Sequence, residues 1–162
     1  MIKKLILVSF LFTSVLSPLI QSDTAETITY KCLIQLTNYG GEGAYVILSL
    51  VNPEGEYEQT LLVNGDDHEW YEDLPDWYEH LSSTFENIDG ITGASIASGG
   101  RKVAAIDIAA DKLKSGYKIR FETAVEDQEY YNRDLELDLG QEVTGQRFNG
   151  KGYIRYVQLI QK

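Results

Sequence analysis

The sequence predicts an all-β fold: an antiparallel immunoglobulin-like sandwich with one short helix. Three observations predict it. Short runs of alternating apolar and polar residues recur along the chain, the period of a strand with one face buried. Clusters of Gly, Asn, Asp and Pro separate those runs and supply turns. Only one stretch changes to the helical period, so strands dominate and pack sheet on sheet.

The chain opens on a targeting pattern. Met1-Ile2-Lys3-Lys4 is a short basic start, and Leu5 to Leu16 is a mostly apolar run of signal-peptide length. Ser17-Pro18 breaks that run, and Ser22 offers a small residue for cleavage. Residues 1–22 therefore read as a signal peptide and 23–162 as a single β-sandwich domain. The expected location is periplasmic or secreted.

The strands follow in order. Thr27–Leu36 places Ile28, Tyr30, Cys32, Ile34 and Leu36 on one face. Asn38-Tyr39-Gly40-Gly41-Glu42-Gly43 is a turn, and Ala44–Val51 is a nearly continuous apolar run that suits a central strand. Asn52-Pro53-Glu54-Gly55 turns the chain into Glu56–Val63, with Tyr57, Gln59, Leu61 and Val63 expected on one side. Leu74, Trp77, Tyr78 and Leu81 then fall at i, i+3, i+4, i+7, which predicts a helix over Leu74–Ser83 with Asp73 as N-cap and Pro75 in the first turn. Residues 84–102 carry loop chemistry. Strands resume at Val103–Ala109 and at Tyr117–Val125, where Tyr117, Ile119, Phe121, Thr123 and Val125 point inward and Lys118, Arg120 and Glu122 outward. Leu135, Leu137 and Leu139 alternate with acids, so Asp134–Asp138 reads as a solvated outer face, and Tyr153–Ile160 is the last strand.

Composition narrows the function. Of 162 residues, 14 are basic and 25 acidic, a net charge of −11, which repels phosphate backbones and excludes nucleic acid as a partner. The single Cys32 allows no intrachain disulfide and reads as a small buried hydrophobe. Two histidines, His68 and His80, leave little for a histidine metal cage.

The most informative segment is Asp89-Gly90-Ile91-Thr92-Gly93-Ala94-Ser95. Its glycines allow positive φ and close approach by another molecule, Asp89 is placed to cap the turn, and Thr92 and Ser95 offer hydroxyls. No histidine accompanies them, so a self-activated serine is not expected. From the residues alone this is an accessible loop fit for modification or anion binding. It resembles the flavinylation motif of covalent-FMN proteins of the FMN-binding domain type: Asp, Gly or Ala, any residue, Ser or Thr, Gly, Ala, then Ser or Thr. Every constrained position agrees, although Thr is the commoner acceptor. The resemblance implies an FMN phosphoester on Ser95, made by a separate FAD:protein FMN transferase, with Asp89, Gly90, Thr92, Gly93 and Ala94 shaping the loop. It also implies electron transfer with a membrane redox partner.

The remainder of the chain resembles the domain of unknown function 2271 family of periplasmic proteins. The likeness rests on Ala44-Tyr45-Val46-Ile47-Leu48, the Trp-containing segment Trp70–Leu81, the Thr92–Ser95 loop and Ser115-Gly116-Tyr117. The alternatives are a flavin-free binding module and a small flavin-dependent reductase. Helix aromatics, chiefly Trp77 with Trp70 or Tyr78, are expected near the Ser95 loop, where they cover a flavin ring or simply belong to the core. Gly99-Gly100-Arg101-Lys102 either wraps the flavin phosphate or is an ordinary turn. Asp66-Asp67-His68-Glu69 reads as a solvated turn ahead of a metal site.

Overall fold

A computed structural model describes residues 26–114 and 116–162. The expected signal peptide and the start of the mature chain lie outside the described residues. Among the described residues nine strands form two sheets: β1 Thr27–Leu36, β2 Tyr45–Val51, β3 Tyr57–Asn64, β4 Thr92–Gly93, β5 Arg101–Ala109, β6 Lys118–Ala124, β7 Tyr131–Asp138, β8 Arg147–Phe148 and β9 Ile154–Gln161. One sheet runs β5-β1-β9-β8 and the other β4-β3-β2-β6-β7. All long pairings are antiparallel; the two-residue β4 lies parallel to β3, so the larger sheet is mixed.

The two sheets face each other across one core. Tyr30, Cys32, Ile34 and Leu36 of β1 meet Val46, Leu48 and Leu50 of β2 and Ile119 and Phe121 of β6. Those of β1 and β6 are the alternating positions the sequence placed inward, and Cys32 is wholly buried. Strand β3 departs from simple alternation. Its register against β2 shifts between Leu48 and Ser49, and Thr60, Leu61, Leu62 and Val63 are all buried. A bulge adds a residue on one strand and so flips the faces beyond it.

The outer face of the larger sheet is covered, which the sequence did not indicate. Helix α1, Pro75–Thr84, lies over it behind a 3-10 segment, His68–Asp73. Pro75 stands at the first turn as expected, but no side chain caps the helix, and its C-terminus ends on Phe85 in the left-handed region (φ 54). Beneath the helix, Tyr71, Leu74 and Trp77 pack on Ile47, Val63 and Ala124 in a second core.

This cover changes the status of the outward residues of β6. Arg120 and Glu122 are 5 % and 0 % exposed. Glu122 accepts hydrogen bonds from the Tyr57 hydroxyl at 2.7 Å and from the Tyr130 hydroxyl. Burial, partly offset by those two donors and by Arg120, pushes its carboxyl up to about 7. Arg120 bonds Glu136 at 2.9 Å and lies over the Tyr57 ring.

Asp134 is also not solvated. It is fully buried and accepts from the Thr123 hydroxyl and from the amides of Lys151, Gly152 and Ile154 at 2.7–2.9 Å. One carboxylate thereby ties β7 to the entry of β9. Its neighbours Leu135 and Leu137 are inward, as their alternation predicts.

Candidate functional site

The Asp89–Ser95 segment crosses the end of the larger sheet. Asp89–Ile91 is a single 3-10 turn. The Asn87 side chain, not Asp89, accepts its first amide bond, from Asp89 N at 3.0 Å, and Asp89 is exposed. Neither Gly90 nor Gly93 takes a positive φ. Gly90 instead leaves open space on the surface, with nothing near the position of a Cβ. Thr92 is half-buried and its hydroxyl donates to the Ile88 carbonyl at 2.8 Å.

The chain is then fixed at two points. Thr92 and Gly93 pair with Val63 and Asn64, and the Gly65 amide donates to the Gly93 carbonyl at 2.6 Å. Three residues on, Ile96 and Ala44 exchange both backbone bonds at 2.8 and 2.9 Å. The Tyr39 hydroxyl reinforces this bridge, donating to the Ile96 carbonyl at 2.6 Å and accepting from the Ala44 amide at 2.8 Å. Between the two fixed points stand only Ala94 and Ser95, both exposed. The result is a two-residue arch that presents a serine hydroxyl to solvent. Gly43 lies against that hydroxyl: a Cβ there would overlap the Ser95 Oγ.

Ser95 opens onto a cleft of about 260 Å³. Tyr45 and Trp70 supply its aromatic surface, Ala124 contributes to its lining, and Glu42, Asp66, Asp67, Asp73 and Glu126 are its carboxylates. Among the described residues none of these five forms an ion pair. Burial first, then Asp127 and Glu42, raise the Glu126 carboxyl. Burial also raises the Tyr45 hydroxyl, with Asp67, Asp66 and Asp73 adding to it. Tyr45 therefore stays protonated and donates to the Asp67 carbonyl at 3.1 Å.

The two tryptophans have opposite surroundings. Trp77 is fully buried, its indole N–H donates to the Thr60 hydroxyl at 3.1 Å, and its ring meets Tyr71 edge-on at 4.9 Å. It is core and does not line the Ser95 cleft, because the helical stripe faces the sheet. Tyr78 also packs in that second core. Trp70, on the 3-10 segment, is the tryptophan the fold brings to Ser95. Tyr45 and Gly43 were not foreseen. Tyr45 begins an apolar run that reads as strand, and nothing in sequence spacing pairs Gly43 with Ser95 across 52 positions.

The glycine nest after the loop is not available. The Gly99 and Gly100 amides donate to the Thr37 and Ala97 carbonyls at 2.8 and 2.7 Å. Arg101 is held by Gln35 and Tyr156. Lys102 differs: its ammonium reaches the loop, 3.5 Å from where a Gly93 Cβ would stand. Asp66–Glu69 are exposed, His68 stacks on Tyr71 at 4.7 Å, and no metal-binding group of three or more acids, His or Cys occurs among the described residues.

Residues 27–156 match the family described as predicted periplasmic protein, DUF2271. The chain belongs to the DUF2271 family. The matched segment runs from β1 into β9 and includes the arch, the cleft and the helical cover. As a member of this family the chain is a periplasmic protein. No curated protein and no solved structure matches the chain.

Proposed function

We propose that this protein is a periplasmic flavoprotein that carries FMN as a phosphoester on Ser95 and passes electrons to or from a membrane redox partner. The observation that carries the reading is the arch: the last hydroxyl of the Asp89–Ser95 motif is exposed between two fixed points at the mouth of a cleft with aromatic walls. The residues present fit the group. A transferase must bring a pyrophosphate to the acceptor oxygen, and the missing Cβ at Gly43 keeps Ser95 Oγ clear. Thr92, the other hydroxyl, is half-buried and engaged with Ile88, which favours Ser95.

In the coupling, Ser95 Oγ attacks the FMN phosphorus of FAD, its proton passes to the transferase, and AMP leaves. Bound FMN supplies one- and two-electron redox chemistry. The chain's own residues hold the attachment point and shape its surroundings. Tyr39 and Ala44 clamp one foot of the arch, and Gly65 the other. The Lys102 ammonium beside Gly93 is a cation available to the phosphoester charge. Covalent attachment prevents loss of the cofactor by dilution outside the cytosol.

Co-expression with an FAD:protein FMN transferase in an export-competent host tests the proposal. Yellow protein whose Ser95 peptide gains the mass of FMN less water is the expected result, retained in Ser95→Thr and lost in Ser95→Ala. Wild-type protein that stays colourless beside an active transferase overturns it and leaves a flavin-free binding module. Steady-state turnover of a small substrate by the yellow protein would instead identify a reductase.

A further inference from the structure

We propose that Trp70 and Tyr45 form the seat of the flavin ring, with the isoalloxazine folded back from Ser95 into the cleft between them; this rests on attachment at Ser95. Trp70 is half-buried, and among the described residues its ring has no aromatic partner and its indole N–H no hydrogen-bond acceptor. A tryptophan in that state at the wall of a concavity offers a flat apolar face on which a planar ring can stack. Trp77, with every one of those needs met inside the fold, is the internal control.

Tyr45 supplies a second, rigid wall. Its hydroxyl is tied to the Asp67 carbonyl at 3.1 Å. Its ring packs against Gly65, where any Cβ would strike it and where the φ of +140 suits glycine. Behind it, Tyr71 meets the Tyr45 ring at 6.3 Å, and Tyr71 is itself braced by Trp77 at 4.9 Å and bonded to the Gly65 carbonyl at 3.1 Å. The wall is thus preorganised from the second core outward, and little ordering is left for binding to cost.

Charge decides which part of the cofactor enters. The cleft rim carries carboxylates and no paired cation, which disfavours a phosphate inside it. The oxidised isoalloxazine is neutral and tolerates that rim. The phosphoester remains at the arch, on the side where Lys102 reaches Gly93. The ribityl chain joins the two and is long enough to let the ring turn back.

Flavin emission reads this directly, since a stacked indole quenches it by electron transfer. In the loaded protein the flavin is expected to emit at least about tenfold less than free FMN. Trp70→Leu should raise that emission severalfold and Trp70→Phe less, with full FMN mass on Ser95 in each and unchanged far-ultraviolet circular dichroism. Loaded protein with Trp70→Leu and Tyr45→Leu together that still emits like the wild type overturns the seat and leaves attachment standing. If no FMN is found on Ser95, riboflavin, which has the ring and ribityl chain but no phosphate, is titrated into the unmodified protein. Quenching that Trp70→Leu abolishes supports the seat without attachment; riboflavin left unquenched by the wild type overturns both.

Discussion

Replacing Glu122 by Gln should remove a pH-dependent loss of stability. The carboxyl is buried between the Tyr57 and Tyr130 hydroxyls and titrates near 7 in the folded chain, against an ordinary value of 4.5. Below pH 4.5 folded and unfolded chains both hold the proton, and Glu122 adds no pH dependence. Between the two values the folded chain keeps a proton that the unfolded chain has released, so rising pH favours unfolding. Above pH 7 the cost is fully expressed and constant. The gap corresponds to roughly 3 kcal/mol. Gln keeps the shape and an oxygen acceptor but cannot ionise. Urea unfolding of wild type and Glu122→Gln, followed at several pH values from 4 to 8, measures the difference. The variant should gain roughly 3 kcal/mol on the wild type across that range, with unchanged m-values. A difference that stays flat with pH, or one in which the wild type gains as pH rises, refutes the reasoning.

Asp134→Asn should destabilise by about 3–5 kcal/mol in urea, because an amide cannot accept from the three amides and one hydroxyl that converge on the carboxylate. Gly43→Ala should cut FMN loading severalfold by mass spectrometry, since its Cβ would crowd Ser95 Oγ and force it aside, with the fold retained by circular dichroism. Trp77→Leu should lose about 3 kcal/mol by chemical denaturation while still accepting FMN. Neutralising Asp66 or Asp73 to Asn should raise the midpoint potential of a flavin held in the cleft, because a carboxylate at its rim disfavours the added electron. Potentiometry at low and high salt checks this, and the shift should shrink as salt screens the rim.

The inner faces of the sandwich were legible because their side chains obey a period of two. Cys32, Ile34, Ile119, Phe121, Leu135 and Leu137 are buried where alternation puts them. The helix was legible from its stripe, which Pro75–Thr84 matches to within a residue. Alternation is blind to what lies above the outer face. Glu122 and Arg120 read as solvated because a strand pattern records only which side a residue is on, not whether a helix covers that side. Asp134 misled for a similar reason, since its partners are backbone amides of a loop near residue 152 that no side-chain pattern marks. At the candidate site, the Asp89–Ser95 motif could be read because it is a local string. The cleft around it is non-local: Gly43 and Tyr45 arrive together at the entry to β2, and Trp70 comes from the 3-10 segment that follows β3.

The arch has a consequence for the order of events in the cell. Its feet are bonded to Ala44 and Gly65, residues some 30 to 50 positions upstream. A newly exported, unfolded chain therefore contains the acceptor letters without the acceptor shape. A transferase that recognises the shape, if it labels Ser95 as proposed, would act only after the sheet has assembled and would leave a misfolded copy unlabelled. The cofactor would then serve as a stamp of completed folding, issued outside the cytosol to those molecules able to use it.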